Sequence, residues 1–152
     1  NDTAILFANG LANNKKITTK RYFNLFKYAL KQICLDLAKM IVRDAEGATK
    51  FIKIEVKGAK NMEEAKRAAL SVANSSLFKT AIYGENPNFG RIVAAVGASG
   101  VEINESKLKI KFSSLKKKDI EVKVDLGKGK AKATIYTSDL TPKYIKINAQ
   151  YN

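Results

Sequence analysis

The chain has 152 residues, 45% hydrophobic and 28% charged, with no apolar run long enough to span a bilayer, which excludes a disordered chain and a membrane-spanning helix. It has no histidine, excluding His-based triads and His-ligated metal sites, and a single cysteine, Cys34, which excludes an internal disulfide and fits a reducing, cytoplasmic setting. A net charge of +14 invites a nucleic-acid reading, but the 28 cations are 24 Lys and 4 Arg spread along the chain, and bidentate recognition of phosphate or guanine prefers Arg.

In chain order, Thr3–Ala8 reads as a buried strand closed by Asn9-Gly10 and followed by a polar loop over 11–16. Phe23, Phe26, Leu30, Ile33, Leu37 and Met40 recur every three or four residues with lysines between them. That spacing predicts a long helix from the Thr18-Thr19 pair to about Val42, stopping before Gly47. Cys34 sits at the edge of the apolar stripe and reads as a small core residue. Phe51–Gly58 alternates apolar and charged residues, the pattern of a half-exposed strand. Asn61 is an N-cap candidate with Glu64 three residues on, and the helix it opens continues through Ala65, Ala68, Ala69, Val72 and Ala73. Gly84–Gly90 reads as a loop and 91–98 as a closely packed helix. Strands are predicted at Lys107–Phe112, Ile120–Asp125 and Lys130–Tyr136, with Gly127-Lys128-Gly129 as the turn joining the last two. Tyr144–Tyr151 reads as a final extended piece. The order of elements predicts an α+β, layered α/β, fold.

Three places interrupt this periodicity with polar and glycine residues. Asp44-Ala45-Glu46-Gly47-Ala48-Thr49-Lys50 joins the long helix to the first alternating strand. Carboxylates at a helix C-terminus oppose the macrodipole by about 0.3–1 kcal/mol each, so Glu46 points to a use beyond structure. Lys79 through Arg91 holds two glycines, a stiffening Pro87, Asn88, and Arg91 at the start of a small-residue helix. There the structural reading, a tight, buried turn with Arg91 bonded to carbonyls, weighs more than an anion site. In the tail, Asn148 offers both donors and acceptors to a zwitterionic ligand.

Taken together, four segments resemble one family: Asn1-Asp2-Thr3 with the apolar run to Gly10, Arg43–Lys50, Lys79–Arg91, and Asp139–Tyr151. They are similar, in order and end to end, to the C-terminal (β) chain of the bifunctional ornithine acetyltransferase / glutamate N-acetyltransferase family of arginine biosynthesis. The resemblance implies a self-processed N-terminal-Thr acyltransferase fold with a smaller second α/β domain. It implies acetyl transfer from N-acetylornithine to glutamate through an acyl-Thr intermediate, with no resident cofactor or metal and acetyl-CoA as a possible co-substrate. The implied partners are the α chain of the same precursor, in an α2β2 heterotetramer, and the two small-molecule substrates, with no nucleic acid and no membrane.

In that family the β chain opens with the nucleophilic Thr, ahead of the Asn-Asp-Thr segment in which this sequence begins. The expectation is therefore that the nucleophile is absent from this chain and that Thr3, whose nitrogen is an amide, does not replace it. Glu46 matches the family's acidic residue for the substrate amino group and Asn148 its C-terminal substrate-contacting asparagine, while Lys50, Asn88 and Arg91 are site-supporting candidates. The family's Trp in the third motif is Phe89 here. The implied organisation is 1–47 as the remainder of the catalytic domain, 48–140 as the smaller α/β domain, and 141–152 as a tail returning to the active site. The competing reading is a basic binding module for RNA or another anionic partner.

Overall fold

Phe51–Ala59 alternates Ile52, Ile54 and Val56 with Lys53, Glu55 and Lys57, and it forms β1, an inner strand of a four-stranded sheet. The structure is a computed structural model describing residues 3–150; Asn1, Asp2, Tyr151 and Asn152, at the outer ends of the first and fourth motifs, lie outside the described residues. Helix α1 (Lys20–Arg43) precedes β1. Helices α2 (Met62–Asn74), α3 (Ser76–Tyr83) and α4 (Phe89–Ala98) and a 3-10 turn (Glu105–Lys107) follow it. Then come β2 (Lys109–Phe112), β3 (Asp119–Asp125), β4 (Ala131–Ser138) and α5 (Pro142–Asn148). The layered α+β class is the one the order of elements predicts.

The sheet order is β2-β3-β1-β4, with β1 parallel to β3 and antiparallel to β4. A parallel pair needs a crossover, and the helices between β1 and β2 provide it. Ile52, Ile54 and Val56 of β1 join Ile120, Val122 and Val124 of β3 in a buried cluster with Ala65, Ala68, Ala69 and Val72 of α2 and Ile92 and Val96 of α4. Alanines along α2 bring that helix close to the sheet. The other strand positions carry charge: Lys53 and Lys123 both pair with Glu121, at 2.8 and 3.0 Å, and Lys57 pairs with Asp125 at 3.3 Å.

The chain divides into two compact units, Asn1–Leu37 and Ala38–Asn152. In the first, residues 3–17 carry no regular structure and α1 begins after Thr19, whose hydroxyl accepts from the Tyr22 amide at 3.4 Å. Phe23, Phe26 and Ile33 of α1 are exposed. In the second, the last turn of α1 sets the Arg43 guanidinium 4.0 Å from the centre of the Phe51 ring and 2.5 Å from the Asp119 carboxylate.

Four local expectations are corrected. Thr3–Ala8 is exposed and forms no strand, because a strand persists only when its backbone groups pair with a neighbour, and the described sheet offers it none. Cys34 is exposed rather than in a core, since the stripe it borders is itself uncovered. Gly127-Lys128-Gly129 does not close a hairpin: β1 lies between β3 and β4, and the Leu126 and Lys128 amides donate to Lys57 and Gly58 carbonyls as the chain crosses the end of β1. Gly129 permits that crossing, because a Cβ there would strike the backbone of Ala59. The tail is helical over Pro142–Asn148 rather than extended, started by a Thr141 cap and Pro142 in the first turn.

Candidate functional site

The junction after α1 is built by local rules first. The Asp44 amide still donates to Met40, Ala48 donates to Ala45, and Gly47 turns the chain at φ +68°. This brings Glu46, exposed to solvent, to the outside of the bend and sends Thr49 and Lys50 toward β1.

The tail meets that bend. Asp139, only 3% exposed, accepts from the Thr49 amide at 2.8 Å, the Thr49 hydroxyl at 2.5 Å and the Lys50 amide at 3.0 Å. A buried carboxylate costs free energy unless its oxygens are satisfied, and these three donors satisfy it. Thr141, 2% exposed, donates its hydroxyl to the Gly47 carbonyl at 2.7 Å and accepts from the Tyr144 amide at 3.1 Å. One turn further on, the Asn148 amide donates to the Tyr144 carbonyl at 3.0 Å and to Glu46 Oε2 at 3.3 Å. Glu46 and Asn148, 102 positions apart, are thus in direct contact. A carboxylate and a neighbouring amide oxygen are together able to accept hydrogen bonds from a protonated amine.

The other three candidates stand in different places. Lys50, with a side chain 9% exposed, reaches the Glu85 carboxylate at 2.7 Å and also donates to the Leu115 carbonyl, tying the junction to the 84–90 loop. Asn88 caps α4 by accepting from the Arg91 amide at 3.2 Å. Arg91 donates to the Leu77 carbonyl at 2.6 Å and the Thr80 hydroxyl at 3.2 Å, so both work in the α3–α4 corner; the carbonyl bond is the one the structural reading expects, but the 84–90 loop is largely exposed rather than buried. Phe89 packs edge-on to Phe112, with ring centres 5.3 Å apart. A cavity of about 420 Å³ opens beside the junction, lined by Arg43, Ala48, Thr49, Lys50, Phe51 and Lys118.

Asp139 and Thr141 lie in the fourth family-like segment, but nothing in the sequence singles either out as a site residue. The only local signal is Thr141-Pro142, a helix start immediately after a strand. Lys79 stands near Asp139: burial pushes its ammonium below the ordinary 10.5, and the Asp139 charge acts in the opposite direction.

A two-layer α+β unit with an acid–amide pair where loop meets tail is the class of protein that fold and site define. The ArgJ family model matches residues 1–116 and 111–152, and the chain belongs to the ArgJ family. It is 43% identical, over 99% of its length, to the Arginine biosynthesis bifunctional protein ArgJ of Geobacter sulfurreducens, covering 44% of that protein. It is 41% identical to the Glutamate N-acetyltransferase of Methanopyrus kandleri, covering 99% of this chain and 45% of that one. The chain therefore spans under half the length of these curated relatives. A crystal structure of Arginine biosynthesis bifunctional protein ArgJ from Bacillus halodurans matches 99% of this chain and 83% of that one, at 38% identity and a TM-score of 0.86.

Proposed function

We propose that this chain supplies the amine-recognising part of an enzyme that moves an acetyl group from N-acetylornithine to glutamate, with acetyl-CoA as a second possible donor. The threonine nucleophile and oxyanion-hole groups come from sequence outside this chain, on the α chain of the same precursor and the start of the β chain, in a cytoplasmic α2β2 assembly. The threonine hydroxyl attacks the acetyl carbonyl, ornithine leaves with the proton, and the glutamate amine then takes the acetyl group and restores the hydroxyl. Glu46 holds the substrate's charged amino group, and Asn148 orients both that carboxylate and the substrate; Lys50 supports the bend they share. The observation that supports this reading is the meeting of Glu46 and Asn148 at 3.3 Å, in a chain whose relatives carry acetyltransferase names.

The test is steady-state kinetics of the complete gene product and its Glu46→Gln variant. A charge-assisted hydrogen bond is worth about 1.5–3 kcal/mol, so KM for N-acetylornithine should rise about tenfold or more with little loss of stability. An unchanged KM in a folded variant removes the assignment of Glu46. On the inner strands Lys53, Lys57 and Lys123 are each paired with a neighbouring carboxylate, which weakens the basic-module reading at those positions.

A further inference from the structure

Asp139 and Thr141 are the two buried polar or charged side chains among the described residues, and both act on one loop. Burying a polar group brings no stability that an apolar residue of similar size would not match, so two such residues fastening the same bend call for a reason. Asp139 holds the amides of Thr49 and Lys50 from 90 and 89 residues away, and Thr141 holds Gly47 from 94. Between those ties there is no slack, because the chain at Gly47 comes so close to α5 that a Cβ would lie 2.6 Å from the Tyr144 nitrogen.

We infer that Asp139 and Thr141 are positioning residues that set the separation of Glu46 and Asn148, and through it the binding of the amino-bearing substrate. The inference rests on the function proposed above. The single Thr141 hydroxyl works in both directions: it donates to Gly47, next to Glu46, and it caps the helix that carries Asn148. Asn148 lies less than two helical turns beyond that cap, and its amide is tied back to the Tyr144 carbonyl, so α5 transmits the position of Thr141 to Asn148 as a short rigid arm. On the other side, Asp139 fixes the start of β1, leaving only Gly47 and Ala48 between the Asp139-bound residues and Glu46. Glu46 and Asn148 are themselves exposed, and their contact is held in place by the buried pair beneath it.

The test is a double-mutant cycle in the complete gene product, combining Thr141→Val and Glu46→Gln, with Thr141→Ser as the conservative control. Thr141→Val should raise KM for N-acetylornithine about tenfold while kcat changes less than about threefold, and Thr141→Ser should stay within about threefold of wild type. In the double variant the two KM factors should not multiply, because both act on one carboxylate. If Thr141→Val does not fold, Asp139→Asn, which keeps an acceptor for both backbone amides, carries the same comparison at smaller amplitude. Independent, multiplying factors, or a lowered Tm with wild-type KM beside a raised KM in Glu46→Gln, would overturn the positioning role and leave the proposed function standing. A wild-type KM in Glu46→Gln itself would overturn both.

Discussion

Gly47 carries two demands at once: a left-handed φ of +68° and the absence of a Cβ where the Tyr144 backbone passes. An alanine there meets both the conformational penalty and a backbone that has no flexible end to give way. Gly47→Ala should cost about 1–3 kcal/mol in urea unfolding, and it should loosen α5, seen as faster amide exchange over 142–148. Wild-type exchange in α5 would mean that the loop absorbs the methyl without disturbing the tail. At this same scale the sequence exposes Glu46 and Asn148 as candidates, since a carboxylate just past a helix end and an amide in a tail are visible without neighbours. Asp139 heads the fourth family-like segment, but its role is not legible there, because it lies in three donors some 90 positions away.

The clearest element-level signals are the caps. Asn61 accepts from the Glu64 amide at 2.9 Å, and the Glu64 carboxylate reaches back to the Lys60 amide at 3.2 Å, one residue beyond the N-cap amide of the standard box. Asn61→Ala should lower stability by about 1 kcal/mol, while Asn61→Asp should retain most of it, both read by urea unfolding. Among the described residues, the five α-helices and four strands separate by how complete their local signal is. β1 and β3 announce themselves by strict alternation, and α2 by its cap and its alanine stripe. The tail misleads because Tyr144-Ile145-Lys146-Ile147 suits a strand as well as a helix, and the Thr141-Pro142 start decides it. Thr3–Ala8 misleads in the opposite sense: its composition suits a strand, but composition does not create a partner.

Across the whole molecule, a net charge of +14 coexists with local ion pairs on the inner strands, Lys53 and Lys123 with Glu121 and Lys57 with Asp125. The hydrogen bond from Lys53 holds the Glu121 carboxyl below its ordinary 4.5, with Lys123 adding to the effect. The same bond, against the opposing effect of burial, holds the Lys53 ammonium above 10.5. A carboxyl depressed on folding contributes stability above its unfolded value and loses it as pH falls through the lower folded one; a raised ammonium loses its share only as pH rises through its raised value. The pair therefore supports the sheet between those limits. Glu121→Gln should bring Tm down at neutral pH, and the gap to wild type should close as pH falls below about 4.5. A gap that persists unchanged at pH 3 would assign the loss to packing instead. Both side chains are about one-third exposed, so added salt should shrink the gap as well.

The sequence by itself determined the periods of β1, β3, α1 and α2, the cap at Asn61, the α+β class and the kinship with the ArgJ family. Each of these depends on residues within a few positions of one another or on the order of short motifs. The tertiary structure alone decided that β1 lies between β3 and β4, that the Gly127–Gly129 bend is a crossing rather than a hairpin, and that a buried aspartate and threonine fasten the tail to the bend at Gly47. Those outcomes turn on hydrogen bonds between residues many tens of positions apart, whose energies exist only after the chain has closed the loops between them.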